Sequence, residues 1–153
     1  EDPFAEDDRV AWIRFAEAVG RRVQIVGDDY LTTSAAHVDR AALDHACNAV
    51  LVKPNQAGTL TEARAALDAG RRHGFGTIVS ARSGESEDVT IAHLAVGWNA
   101  GQLKVGSFAR SERMAKWNEV LRIEEALGNG AAFAGIGALP IRRPVRTNGK
   151  PAV

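Results

Sequence analysis

The chain has little that would tie it to a specialised environment. Its 153 residues hold one cysteine, Cys47, so no internal disulfide can staple the fold, which suits a reducing compartment. Lysine plus arginine equals aspartate plus glutamate at 19 each, which removes any global field for recruiting nucleic acid or an anionic membrane. No stretch approaches the roughly 18 apolar residues of a membrane span, and the opening Glu1-Asp2-Pro3-Phe4 is not a signal peptide. Neither a nucleic acid nor a membrane is expected as a partner. The four histidines, His37, His45, His73 and His93, lack metal-ligand spacing among themselves or with Cys47, which argues against zinc. Aromatics are scarce at 6%, and Trp12, Trp98 and Trp117 fall on predicted helices as packing groups rather than base-stacking platforms. What remains is ordinary: 45% hydrophobic and 25% charged residues, about one domain's worth of soluble chain.

The most informative stretch is Ala49-Val50-Leu51-Val52-Lys53-Pro54-Asn55-Gln56-Ala57-Gly58-Thr59. An apolar run ends abruptly in a lysine and then in Pro-Asn-Gln, which reads as a buried parallel strand delivering one charge to its C-terminal mouth. Burial costs an ammonium its hydration, so a lysine placed there needs carboxylates around it or a task as a base.

The pattern recurs along the chain. Helical spacing covers 7–19, a strand covers 23–27 and closes on Asp28-Asp29, and a second helix covers 37–46. After the Lys53 strand, Thr59 and Glu62 have capping-box spacing before an alanine-rich helix that runs to Arg72. A strand at 76–80, a helix at 90–98 and a strand at 102–105 follow, then a long helix at 111–127 with Ser111 as its expected N-cap. Residues 141–153 read as a basic, proline-containing tail carrying Arg142, Arg143, Arg146 and Lys150, separate from a partial barrel domain over 1–140.

Strand and helix therefore alternate about four times, with crossovers long enough to make the strands parallel. Each strand ends in polar or charged residues: Asp28-Asp29, Lys53, Ser80 to Ser83, and Lys104. Chemistry in α/β folds collects at such ends, so the four sets are expected to converge. Four units fall short of the eight in a closed barrel of about 250 residues. The expectation is the C-terminal half of a TIM-like barrel with open edges and an uncovered seam, completed by a missing N-terminal portion or a complementing chain. A small open parallel sheet is the competing architecture.

Taken together, Glu1-Asp2-Pro3-Phe4, Gly27-Asp28-Asp29, Lys53-x-Asn55-Gln56-x-Gly58-Thr59, Ser80-x-Arg82-Ser83-Gly84-Glu85-x-Glu87-Asp88, Gly101-Gln102-x-Lys104 and Ala109-Arg110-Ser111-Glu112-Arg113, followed by Arg122-Ile123-Glu124-Glu125, form an ordered series. In this series the chain resembles the C-terminal part of enolase, the phosphopyruvate hydratase family, up to about residue 128. The resemblance implies a cytoplasmic, Mg²⁺-dependent lyase that interconverts 2-phosphoglycerate and phosphoenolpyruvate in glycolysis, homodimeric at full length. By the same resemblance Lys53 is the proton acceptor, and Lys104 contacts the substrate carboxylate and offsets developing charge. Ser80, Ala81, Arg82 and Ser83 form the segment that holds a phosphorylated carboxylic acid, with Arg82 and Ser83 on the phosphate. Glu1 and Asp28 are Mg²⁺ ligands, while a third carboxylate and the general-acid glutamate belong to an upstream segment. Lysines at neighbouring strand ends also repel one another, which favours the uncharged amine that a proton acceptor needs. The segment from Ala109 to Arg113 is implied to be structural.

Two positions depart from the family pattern: Pro54 replaces the more usual valine, as in some divergent members, and Ala81 stands where the Ser-His-Arg-Ser motif has histidine. The loss of that side chain near the reacting centre opens one alternative, an enolase-like paralogue, such as carboxyphosphonoenolpyruvate synthase, acting on a related phosphono substrate. The third carboxylate and general acid that the resemblance places upstream open another, a non-catalytic enolase fragment or scaffold.

Overall fold

A computed structural model of the chain describes residues 1–141, so the basic residues expected in the tail, Arg142 to Lys150, lie outside the described part. The element order is α1 (Arg9–Val19), β1 (Val26–Gly27), α2 (Ala35–Leu43), β2 (Ala49–Val52), α3 (Pro54–Ala57), α4 (Leu60–Arg72), β3 (Gly76–Ser80), α5 (Thr90–Gly97), β4 (Gly101–Lys104) and α6 (Ser111–Leu127). Two short 3₁₀ turns, Gly128–Gly130 and Gly135–Ala138, follow.

All three strand pairings are parallel, and the sheet order is β1-β2-β3-β4. Strands laid down in chain order without reversal advance as a barrel wall does, whereas a doubly wound sheet reverses at a switch point. Side chains 78 positions apart also bridge the two edges: Gln24 Nε2 donates to Gln102 Oε1 at 2.9 Å. The wall is therefore curled, and the open flat sheet is excluded.

Curling buries the inner face. Val26, Ala49, Leu51 and Ile78 form one apolar cluster there, each less than a tenth exposed. The opposite strand faces, including Val50, Val52 and Val79, pack with Trp12, Leu31, Val38 and Leu67 beneath the helices. Residues in β2 alternate between these two clusters, which is why the strand is apolar throughout and ends at the first charge, Lys53.

Local rules account for most boundaries. Thr59 accepts from the Glu62 backbone N–H at 3.1 Å, as capping-box spacing predicts. The expected strand over 23–27 shortens to Val26–Gly27 because Ile25 bonds sideways instead: its N–H donates to Asn48 Oδ1 and its carbonyl accepts from Ala49 N. Ser111 is the first helical residue rather than the cap, a place taken by Arg110 in extended conformation. Helix α3 was not expected; Pro54 at its first position supplies a preset φ.

Gly27 is packed too tightly for any side chain. A Cβ there would lie 2.5 Å from Leu31 Cγ, and Leu31 is fully buried. Gly27→Ala is expected to lower stability by about 1–3 kcal/mol, read from the urea midpoint.

Candidate active site

Asp28 follows directly on β1, and the chain holds this carboxylate in place from two sides. The Asp2 carboxylate accepts the backbone N–H groups of Asp28 and Asp29, at 2.8 Å each. Asp28 itself is 6% exposed; its Oδ2 accepts from the Lys53 ammonium, and its Oδ1 is buried without a partner.

Lys53, 8% exposed, is fixed by its neighbours in sequence and by the loop after β1. Its backbone N–H donates to Thr33 Oγ1 at 3.0 Å, and that hydroxyl donates to Gln56 Oε1 at 2.6 Å. Thr32 and Thr33 both have positive φ, +49° and +52°, a conformation that disfavours β-branched residues. This strained pair turns Thr33 inward to reach the Lys53 backbone. Asn55 performs a parallel service for the next strand, accepting from the Arg82 guanidinium at 3.2 Å. The Pro-Asn-Gln signature thus orients two charged residues while its own helix caps nothing with a side chain.

At the end of β3 the backbone N–H of Arg82 donates to Glu85 Oε1 at 2.7 Å, so the carboxylate pairs with the main chain rather than with the guanidinium. At the end of β4, the Lys104 ammonium donates to both carboxylate oxygens of Glu1. Strands β2 and β4 are separated by β3, and each lysine has a carboxylate as its immediate partner. The mutual repulsion expected of the two lysines as neighbours is therefore not the arrangement found.

Glu1, Asp28, Lys53, Ala81, Arg82, Ser83 and Lys104 line one cavity of about 480 Å³. Ser80 is not among the lining residues; it is 2% exposed, and its hydroxyl donates to the Ala81 carbonyl at 2.8 Å. Val105, Gly106, Ser107, Arg110 and Arg113 complete the wall. Arg110 and Arg113 belong to the segment read as purely structural, and no spacing rule marks them, because the turn between β4 and α6 folds them back over the strand ends. The lining carries five cationic side chains against two carboxylates, a field suited to a ligand with several negative charges.

A family model described as "Enolase, C-terminal TIM barrel domain" matches residues 1–140. The chain belongs to the enolase family. Its parallel α/β wall is part of that family's C-terminal barrel domain, and the domain is that of an enolase-superfamily lyase. Among the described residues no helix is long and apolar enough to cross a membrane.

The donor set also suits the metal that such lyases use. Oxygens of Asp2, Asp28 and Asp29 lie within 4.8 Å of one another, and the orphaned Asp28 Oδ1 is a buried acceptor with nothing to accept. Hard oxygen donors fit Mg²⁺. Both Asp2 oxygens are already engaged by the backbone, which makes Asp2 a support for Asp28 more than a donor.

Cys47 is remote from this chemistry, lying just before the start of β2, at the opposite end of the sheet from Lys53. Burial pushes its thiol up to about 12. At pH 8 the thiolate population falls roughly a thousandfold below that of a free cysteine near 8.5. Alkylation by iodoacetamide is expected to be at least a hundredfold slower in the folded than in the urea-unfolded protein. Comparable rates in the two states would refute the burial.

Proposed function

We propose that this domain supplies the proton-accepting and phosphate-holding side of a Mg²⁺-dependent enolase site that interconverts 2-phosphoglycerate and phosphoenolpyruvate. The observation that carries the reading is the convergence of Glu1, Asp28, Lys53, Arg82, Ser83 and Lys104 on one cation-rich cavity.

In this reading Lys53 Nζ, held as an ammonium by Asp28 Oδ2 in the structure, first releases a proton to solvent and then, as the neutral amine, accepts the proton from the carbon next to the substrate carboxylate. The residue is 8% exposed, its backbone N–H is held by Thr33 Oγ1, and it lines the cavity. Lys104 faces the same space from β4 and opposes the charge that grows on the carboxylate as the proton leaves. Arg82 presents a guanidinium fork, and Ser83 a hydroxyl, to the phosphate. Asp28 through its unpartnered Oδ1, and Glu1 once released from the Lys104 ammonium that both its oxygens accept, would hold Mg²⁺, which supplies positive charge beside the reacting carboxylate when bound. The hydroxyl departs with a proton from an acid outside this chain.

Ala81 favours a second reading. It is a small apolar wall, 7% exposed, at the position where the family motif carries histidine. A phosphono analogue handled by the same enol-stabilising groups is the substrate this second reading assigns. The full-length protein is expected to form phosphoenolpyruvate from 2-phosphoglycerate and to stop when Mg²⁺ is chelated; a folded protein with no turnover overturns the first reading. A tenfold or greater gain on Ala81→His would favour the second.

A further inference from the structure

Two buried cations of α6 have no assigned role in the reaction proposed above: Arg113, which lines the cavity, and Lys116, one turn further on and outside the lining. Arg113 is 8% exposed and Lys116 is fully buried. Neither spends its charge on solvent. Arg113 Nη1 donates to the Val105 carbonyl and Nη2 to the Ser83 carbonyl, both at 2.8 Å. Lys116 Nζ donates to the Ser86 carbonyl at 2.6 Å and to the Glu112 carbonyl at 2.9 Å, and pairs with Glu85 Oε2 at 2.7 Å.

These contacts form one connected frame. The guanidinium fork spans the ends of two strands, tying the loop after β3 to the turn after β4. The ammonium holds Glu85, whose other oxygen fixes the Arg82 N–H. Gly106, at φ +109°, gives the turn beside the guanidinium a backbone conformation that L side chains rarely adopt. A loop of small polar residues, Ser83-Gly84-Glu85-Ser86, has little apolar surface with which to order itself, so its geometry must come from such polar ties.

We propose that Arg113 and Lys116 are positioning residues that brace the loop from Arg82 to Ser86, so that Arg82 and Ser83 are set for a phosphoryl group before it arrives. This rests on the assignment of Arg82 and Ser83 to the phosphate. The brace works by shape: Arg113 reaches its two carbonyls with separate nitrogens of one rigid plane, and a lysine at this position keeps the charge but offers a single nitrogen in place of that fork.

The test uses the full-length protein with inorganic phosphate as the probe, Mg²⁺ binding as the internal control, and amide hydrogen exchange as the local readout. Arg113→Lys, Arg113→Met and Lys116→Met are expected to weaken phosphate binding about tenfold or more, leave Mg²⁺ affinity within about twofold, and speed exchange at Arg82 to Ser86 while β2 stays protected. Glu85→Gln loosens the same tie from the loop side without altering α6, which covers the case of a Lys116 variant that fails to fold. Arg113→Lys binding phosphate like the parent would show that charge alone matters and overturn the proposal. Unchanged loop exchange, equal losses of phosphate and Mg²⁺, or a parent protein that binds no phosphate would overturn it as well. A parent that binds phosphate without turning over 2-phosphoglycerate sinks the proposed reaction and leaves the brace standing.

Discussion

Lys53→Ala is expected to lower turnover of 2-phosphoglycerate by at least about a thousandfold, within the usual range for loss of a general base together with its positioning. The same substitution should also destabilise the fold, for a reason independent of catalysis. Asp28 is buried with Oδ1 already orphaned, and the Lys53 ammonium is the partner of Oδ2. Their side chains are 9% and 11% exposed, so removing the lysine leaves a carboxylate that water barely reaches. Breaking a buried pair from one side costs about 3–5 kcal/mol. The two consequences separate under titration with Mg²⁺. A cation at Asp28 offsets the abandoned charge, so Mg²⁺ should raise the melting temperature of Lys53→Ala more than that of the parent, without returning activity. Turnover within tenfold of the parent would remove Lys53 as the proton acceptor. A variant as stable as the parent in the absence of Mg²⁺ would contradict the buried pairing.

How much of this was legible in the residues depends on the kind of rule involved. Binary pattern and capping chemistry are local, so β3 at Gly76–Ser80 and α6 at Ser111–Leu127 fall where the sequence puts them, and Thr59 caps α4. The convergence of strand ends follows from parallel topology, which the length of the crossovers implies. The curl that brings Gln24 to Gln102 does not follow from any window of sequence, and it is what hides the inner face. The left-handed Thr32-Thr33 pair ran against propensity, which would place glycine or asparagine there; tertiary hydrogen bonds to Lys53 and Gln56 override it. Arg113 and Lys116 look like solvated helix charges in one dimension, because spacing along α6 does not reveal that a polar loop lies against them.

Arg82→Met is expected to weaken phosphorylated ligands by about two to three orders of magnitude while leaving Mg²⁺ affinity unchanged. Hydrogen bonds to charged groups contribute about 1.5–3 kcal/mol each, and a forked pair on one phosphate loses both at once. At about 1.4 kcal/mol per factor of ten, the upper end of that sum exceeds a thousandfold, and solvent at this half-buried position trims it. Arg82→Lys should fall between the variant and the parent, because a point charge still attracts the anion but cannot match two oxygens. Asn55→Ala gives the finer test. Asn55 touches the guanidinium at 3.2 Å without lining the cavity, so its loss should cost about tenfold in affinity through misorientation alone. If Arg82→Met bound phosphoenolpyruvate as tightly as the parent, the phosphate would have to sit elsewhere in the cavity, against Arg110 or Lys104. The assignment of the loop after β3 would then fall, while the Lys53 and Asp28 pairing would still stand.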